Sequence, residues 1–100
     1  MTDAELLTLT KSNLQIAGPT WDAYLTQLIT VAKQSIAREG ITLTDTLEDN
    51  NLVVMYAAYL YRKRAESSVQ GNLSWVAGMP RMLRYALNNR LFAEKMNGGT

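Results

Sequence analysis

The feature that most constrains this chain is the run Leu52-Val53-Val54-Met55-Tyr56-Ala57-Ala58-Tyr59-Leu60-Tyr61, ten residues without a charged side chain. A membrane-spanning helix needs about 20 apolar residues, so the run is too short to span and the chain reads as soluble. Placed on a helix over about 50–66, Leu52, Met55, Tyr56 and Tyr59 cover one face. Val54, Ala57, Ala58 and Tyr61 cover the opposite face, and Val53 and Leu60 fill a side between them. A helix apolar all round must be buried all round. Two arrangements satisfy that in a chain of 100 residues. Either the other helices wrap this one, or another chain covers part of it.

The rest of the sequence supplies those other helices. Leu and Ala provide 25 of the 47 apolar positions and Val plus Ile only nine, a balance that favours helix. Thr2-Asp3-Ala4-Glu5 has capping-box spacing, so a first helix starts at Thr2, carries Leu6, Leu7, Leu9 and Leu14, and stops before Gly18-Pro19. Thr20 is positioned to cap a second helix, with Asp22 in its first turn. Trp21, Tyr24, Leu25, Leu28, Ile29, Val31, Ala32 and Ile36 fall on one face of it, and Gly40 reads as the left-handed residue past its end. Ile41 to Leu47 is a β-branched connector with room for a short extended piece. Ser67 to Gly78 reads as a loop of about 12 residues, long for a compact domain and carrying the apolar Val69, Leu73, Trp75 and Val76. Pro80 then opens a fourth helix over 80–95. Its core face is Met79, Met82, Leu83, Ala86, Leu87 and Ala93, and its second, basic-aromatic face is Arg81, Arg84, Tyr85, Asn88, Phe92 and Lys95. Arg90 projects within the core-facing stripe, so it should pair with a carboxylate or reach past the edge of the domain. The expected architecture is an all-α bundle of about four helices, one domain over residues 1–100, flexible from about 96.

The absences narrow the chemistry. With no Cys and no His there is no disulfide framework, thiolate or imidazole metal site, or Ser-His or Cys-His nucleophile. Residues 1–30 lack a basic segment followed by a long apolar run, so no signal peptide is expected. Asp45, Glu48 and Asp49 form the one carboxylate cluster, and helix-start capping accounts for them better than a cation site does. The six glycines follow no phosphate-loop or dinucleotide pattern. The expectation is no catalytic residue, no metal, no cofactor and no enzyme.

Charge carries more information. Residues 1–61 hold three basic and seven acidic side chains, net −4. Residues 62–90 hold Arg62, Lys63, Arg64, Arg81, Arg84 and Arg90 against Glu66 alone, net +5. Arg and Lys alone suit phosphates, whereas Arg with aromatics suits a protein interface. The candidate interface residues are Arg62, Lys63, Arg64, Trp75, Arg81, Arg84, Tyr85, Asn88, Arg90 and Phe92.

Three strings go further: Asp22-Ala23-Tyr24-Leu25-Thr26-Gln27-Leu28-Ile29-Thr30-Val31-Ala32 followed by Ile36, Tyr56-Ala57-Ala58-Tyr59-Leu60-Tyr61-Arg62-Lys63-Arg64, and Met79-Pro80-Arg81-Met82-Leu83-Arg84. In this order the chain resembles, over roughly residues 5–91, the head–tail connector (adaptor) proteins of tailed double-stranded-DNA bacteriophages. The resemblance implies a structural virion protein without catalytic residues. Such proteins are small helical bundles that form a ring under the portal, dodecameric or close to it, in the neck of the virion. The ring extends the channel through which DNA passes without sequence recognition, and it gives the stopper or tail a docking surface. Assembly would take place in the cytoplasm of the bacterial host, and no membrane is involved. The third helix matches the family's central helix, and Ser67 to Gly78 matches its variable loop. The family's C-terminal segment can contact the portal, and the stretch from Phe92 onward is short here.

A closed ring requires a heterologous contact, one patch on a different patch of the next copy. The expected contact sets the acidic first half of one copy against the Arg-rich second half of the next, so that reversing Arg81 and Arg84 to Glu blocks the ring and spares the fold; the alternative places some of these arginines on the channel wall, near passing DNA phosphates. The alternative function is a small helical DNA-binding regulator reading DNA through helices three and four. Against it, a helix-turn-helix joins its helices by about three or four residues, and a net charge of +1 is weak for a duplex binder.

Overall fold

The computed structural model describes residues 2–70 and 80–98, with backbone alone for 64–70, 97 and 98. Four helices follow in order: α1 (Asp3–Leu14), α2 (Asp22–Arg38), α3 (Leu47–Gln70) and α4 (Arg81–Gly98). The fold is all-α, with no strand among the described residues.

The local reasons for each helix are legible at its ends. Thr2 Oγ1 accepts from the Glu5 N–H at 3.2 Å, and Glu5 Oε1 accepts from the Thr2 N–H at 2.8 Å, so the capping box of α1 is closed. Gln15, at φ 60°, ends α1 in the left-handed region. The cap of α2 differs from expectation. Trp21, not Thr20, holds the N-cap position and gives no side-chain hydrogen bond. The cause is the preceding turn: Gly18 sits at φ 86° and the Asp22 N–H donates to the Pro19 carbonyl at 3.1 Å, which delays the helix by a residue. Gly40, at φ 101°, closes α2 as its sequence position implies.

The connector 41–44 forms no extended pairing, and Leu47 already belongs to α3. That helix begins three residues before the expected 50. Thr46 caps it, its Oγ1 accepting from the Asp49 N–H at 3.2 Å. It also runs four residues past the expected 66, because no Gly or Pro interrupts 67–70. The remainder of the expected loop, Trp75 included, lies outside the described residues.

α3 is the central helix. It packs against α1, α2 and α4, and Leu52, Val53, Val54, Ala57 and Ala58 are each buried. The other three helices thus enclose half of the apolar run, while Met55, Tyr56, Tyr59, Leu60 and Tyr61 are half-buried. Leu6, Ile29, Ala32, Ile36, Ile41, Leu83 and Leu87 complete the core around it. Each large aliphatic side chain so buried contributes roughly 1.5–3 kcal/mol. Lys33–Asp3 and Lys11–Asp22 bracket α1 and α2 at opposite ends, which makes them antiparallel. Trp21, Tyr24 and Tyr61 meet where α2 begins, with the Trp21 and Tyr61 centroids 6.1 Å apart.

Met82 corrects the reading of α4. It was expected in the core and is 77% exposed. Leu83 and Leu87 are the buried pair, and Arg90 anchors the same side of the helix to α3, which turns Met82 outward. α4 also continues three residues beyond the expected 95, to Gly98. Among the described residues no helix is long and apolar enough to cross a membrane.

Candidate assembly interface

The candidate interface residues divide into an inward and an outward set. Arg90 is inward, with its side chain 12% exposed. Its Nε donates to Asp49 Oδ1 at 2.7 Å, its Nη2 to Asp49 Oδ2 at 3.2 Å and to the Thr42 carbonyl at 2.7 Å, and its Nη1 to Glu94 Oε1 at 3.0 Å. This is the carboxylate pairing that its place in the apolar stripe requires. Burial would push the Asp49 carboxyl up, yet the Arg90 hydrogen bond and two donors from Thr44 hold it below the ordinary range. The Arg90 guanidinium is raised by the same bond.

Arg84 is also engaged. Its Nη1 and Nη2 donate to Glu39 Oε1 and Oε2 at 3.0 and 3.2 Å, a two-point grip on the end of α2 that raises its pKa. The acidic and basic halves therefore meet within one copy, at Arg84–Glu39 and Arg90–Asp49. Both arginines already hold a carboxylate within one copy, Arg90 with its side chain 12% exposed and Arg84 with 43% exposed.

On α3, Arg62 donates through Nη2 to the Asn13 carbonyl at 3.2 Å and to Asn13 Oδ1 at 3.1 Å. Lys63 stands 5.8 Å from the centroid of the Tyr59 ring. The side chain of Arg64 and all of Trp75 lie outside the described residues.

The outward set is on α4. Arg81 and Asn88 are exposed, Tyr85 is 69% exposed and Phe92 65%. They are joined by Met82, Asn89 and Met96, which the sequence reading left out of the interface. Met82, Tyr85, Asn89, Phe92 and Met96 recur in steps of three and four residues along the side of the helix opposite Leu83 and Leu87. The spacing was available in the sequence. The competing assignment of Met82 to the core concealed it. Beside this stripe runs an open groove of about 580 Å³, lined by Glu48, Met55, Arg81, Met82, Tyr85, Ala86 and Asn89.

The three clustered carboxylates separate. Asp49 turns in to Arg90, Asp45 accepts from Asn50 Nδ2 at 2.9 Å, and Glu48 stays at the surface beside the groove. Among the described residues no three of His, Cys, Asp and Glu gather as a metal-binding set. An exposed ridge of aromatic, Met and Arg side chains on a fixed helix has the composition of a protein–protein contact. No protein-family model, curated protein or solved structure matches this chain.

Proposed function

We propose that this chain is a structural subunit of a head–tail connector ring in a tailed bacteriophage, docking under the portal, extending the DNA channel and offering the stopper or tail its attachment surface. The observation that carries the reading is where the three resembling strings lie. The first forms α2, whose Leu25, Ile29, Ala32 and Ile36 are buried. The second lies within the central α3, and the third leads into α4. The exposed Met82, Tyr85 and Phe92 with Arg81 supply the adhesive face that a subunit needs. Duplex DNA passing through the ring would meet basic side chains such as Arg62 and Lys63 without base readout.

The test uses particles from cells that express the chain from its own genome. The chain should sediment with DNA-filled heads and occupy a ring of density at the neck in electron micrographs. Its absence from purified particles overturns the proposal. A duplex titration of the free chain separates the regulator: a tight, strongly salt-dependent complex would move the assignment there.

A further inference from the structure

The outer stripe of α4 has the period of a two-helix seam. Met82, Tyr85, Asn89, Phe92 and Met96 occupy alternating a and d positions over two heptads. Their four large side chains are 63–77% exposed. α4 is already folded onto α3, so pairing along this stripe carries no cost of forming the helix. From this geometry we infer that, in the free protein, α4 pairs in parallel and in register with α4 of a second copy.

Three observations select the second copy as the occupant. First, Asn89 sits at the middle of the stripe, at an a position. In register it faces Asn89 of the second copy and both amides find a partner, while a shift of one heptad sets it against Met82 or Met96. Second, the flanks are complementary. Arg81, Asn88 and Lys95 lie along one edge and Ala86 and Ala93 along the other. A parallel pair lays Arg81 over Ala86 and Asn88 over Ala93, whereas an antiparallel pair brings Arg81 against Lys95. Third, Glu48 lies in the groove beside Ala86 and has no ion pair among the described residues. The parallel pair delivers Arg81 of the second copy over Ala86, next to that carboxylate, and does so twice by symmetry.

Magnitudes set the strength. Four large side chains at this exposure bury on the order of 500 Å² per copy, against roughly 800 Å² in a standard interface. The pair is therefore weak and reversible, dissociating in the micromolar range. A two-fold pair closes on itself and cannot propagate around a ring. It describes the free chain and stands independently of the neck reading.

The experiment is sedimentation velocity of the full chain over a dilution series. The expected result is a monomer–dimer equilibrium that Phe92→Asp weakens at least about 30-fold with an unchanged circular dichroism spectrum. Arg81→Glu and Glu48→Arg should each weaken it by about tenfold, and the double charge swap should restore it. A monomer at every concentration up to about 1 mM overturns the pairing, as does an association indifferent to Phe92→Asp. A free chain that stays monomeric while particles carry it at the neck removes the pairing and leaves the neck reading. A pair formed by a chain absent from particles does the reverse.

Discussion

Arg90 of α4 closes on Asp49 of α3 with two hydrogen bonds, one to each carboxylate oxygen, 2.7 and 3.2 Å long, and the aspartate is only 2% exposed. The same guanidinium fastens the Thr42 carbonyl and Glu94. One side chain thus joins the 41–46 connector to two helices. Arg90→Met would leave Asp49 buried and without its cation, a loss of about 3–5 kcal/mol. A domain of this size has on the order of 5–10 kcal/mol in total, so the variant should be barely folded in urea titrations at neutral pH. Adding Asp49→Leu should recover much of the loss, because a buried apolar pair replaces a charge pair at little cost. A double variant no more stable than Arg90→Met would show that the Thr44 bonds to Asp49 matter more than the ion pair.

Acid should weaken the fold in a defined window. Burial raises the Asp49 pKa, but bonds from Arg90 and Thr44 leave it depressed. Glu94 is held down first by the Thr42 N–H and then by Arg90, and Glu5 by the Thr2 N–H. A carboxylate whose folded pKa lies below its unfolded value stabilises above the unfolded value, about 4, and loses that contribution as pH falls through the folded one. The urea midpoint should be flat from pH 7 to about 5 and decline below about 4. In Asp49→Asn the decline should be shallower.

The Arg84–Glu39 pair should matter much less than Arg90–Asp49. Its side chains are 43% and 26% exposed, so solvent screens it, and Arg84→Ala should cost no more than about 1 kcal/mol. Arg84→Glu would instead oppose two carboxylates, and Glu39→Arg in the same chain should rescue it. The joint reversal of Arg81 and Arg84 therefore mixes a folding defect with an interface defect. Arg81→Glu alone separates them, and the thermal midpoints of the two single variants check the assignment.

Thr2→Ala removes the acceptor for the Glu5 N–H and opens the capping box. The expected cost is about 1 kcal/mol, read as a lower thermal midpoint. Thr20→Ala is the control: Thr20 does not hold the N-cap of α2, so its midpoint should stay within error of the parent.

Much of the fold was legible because it rests on local rules. The Thr2–Glu5 box, the left-handed Gly40 and the all-round apolar run each announce themselves within a few residues. What escaped depended on rotation and on distant partners. Thr46 resembles the other threonines of the connector until the Asp49 N–H is seen to need an acceptor. Met82 looks like a core residue until Arg90 fixes which side of α4 faces α3. The charge pattern has the same character: net charge separates the two halves, and only three dimensions show Glu39 and Asp49 pairing with Arg84 and Arg90 inside one copy.

The central position of α3 and the lateral position of α4 imply unequal local stability. Val53, Val54, Ala57 and Ala58 are buried where α3 meets three neighbouring helices, so their amides should exchange with solvent only through global unfolding. α4 touches the bundle along one side, through Leu83, Ala86, Leu87 and Leu91 and the Arg84 and Arg90 clasps. It can lift away while the other three helices remain packed. Deuterium should reach its amides first, and the free energy of that opening should follow the Arg90 clasp rather than the stability of the whole chain.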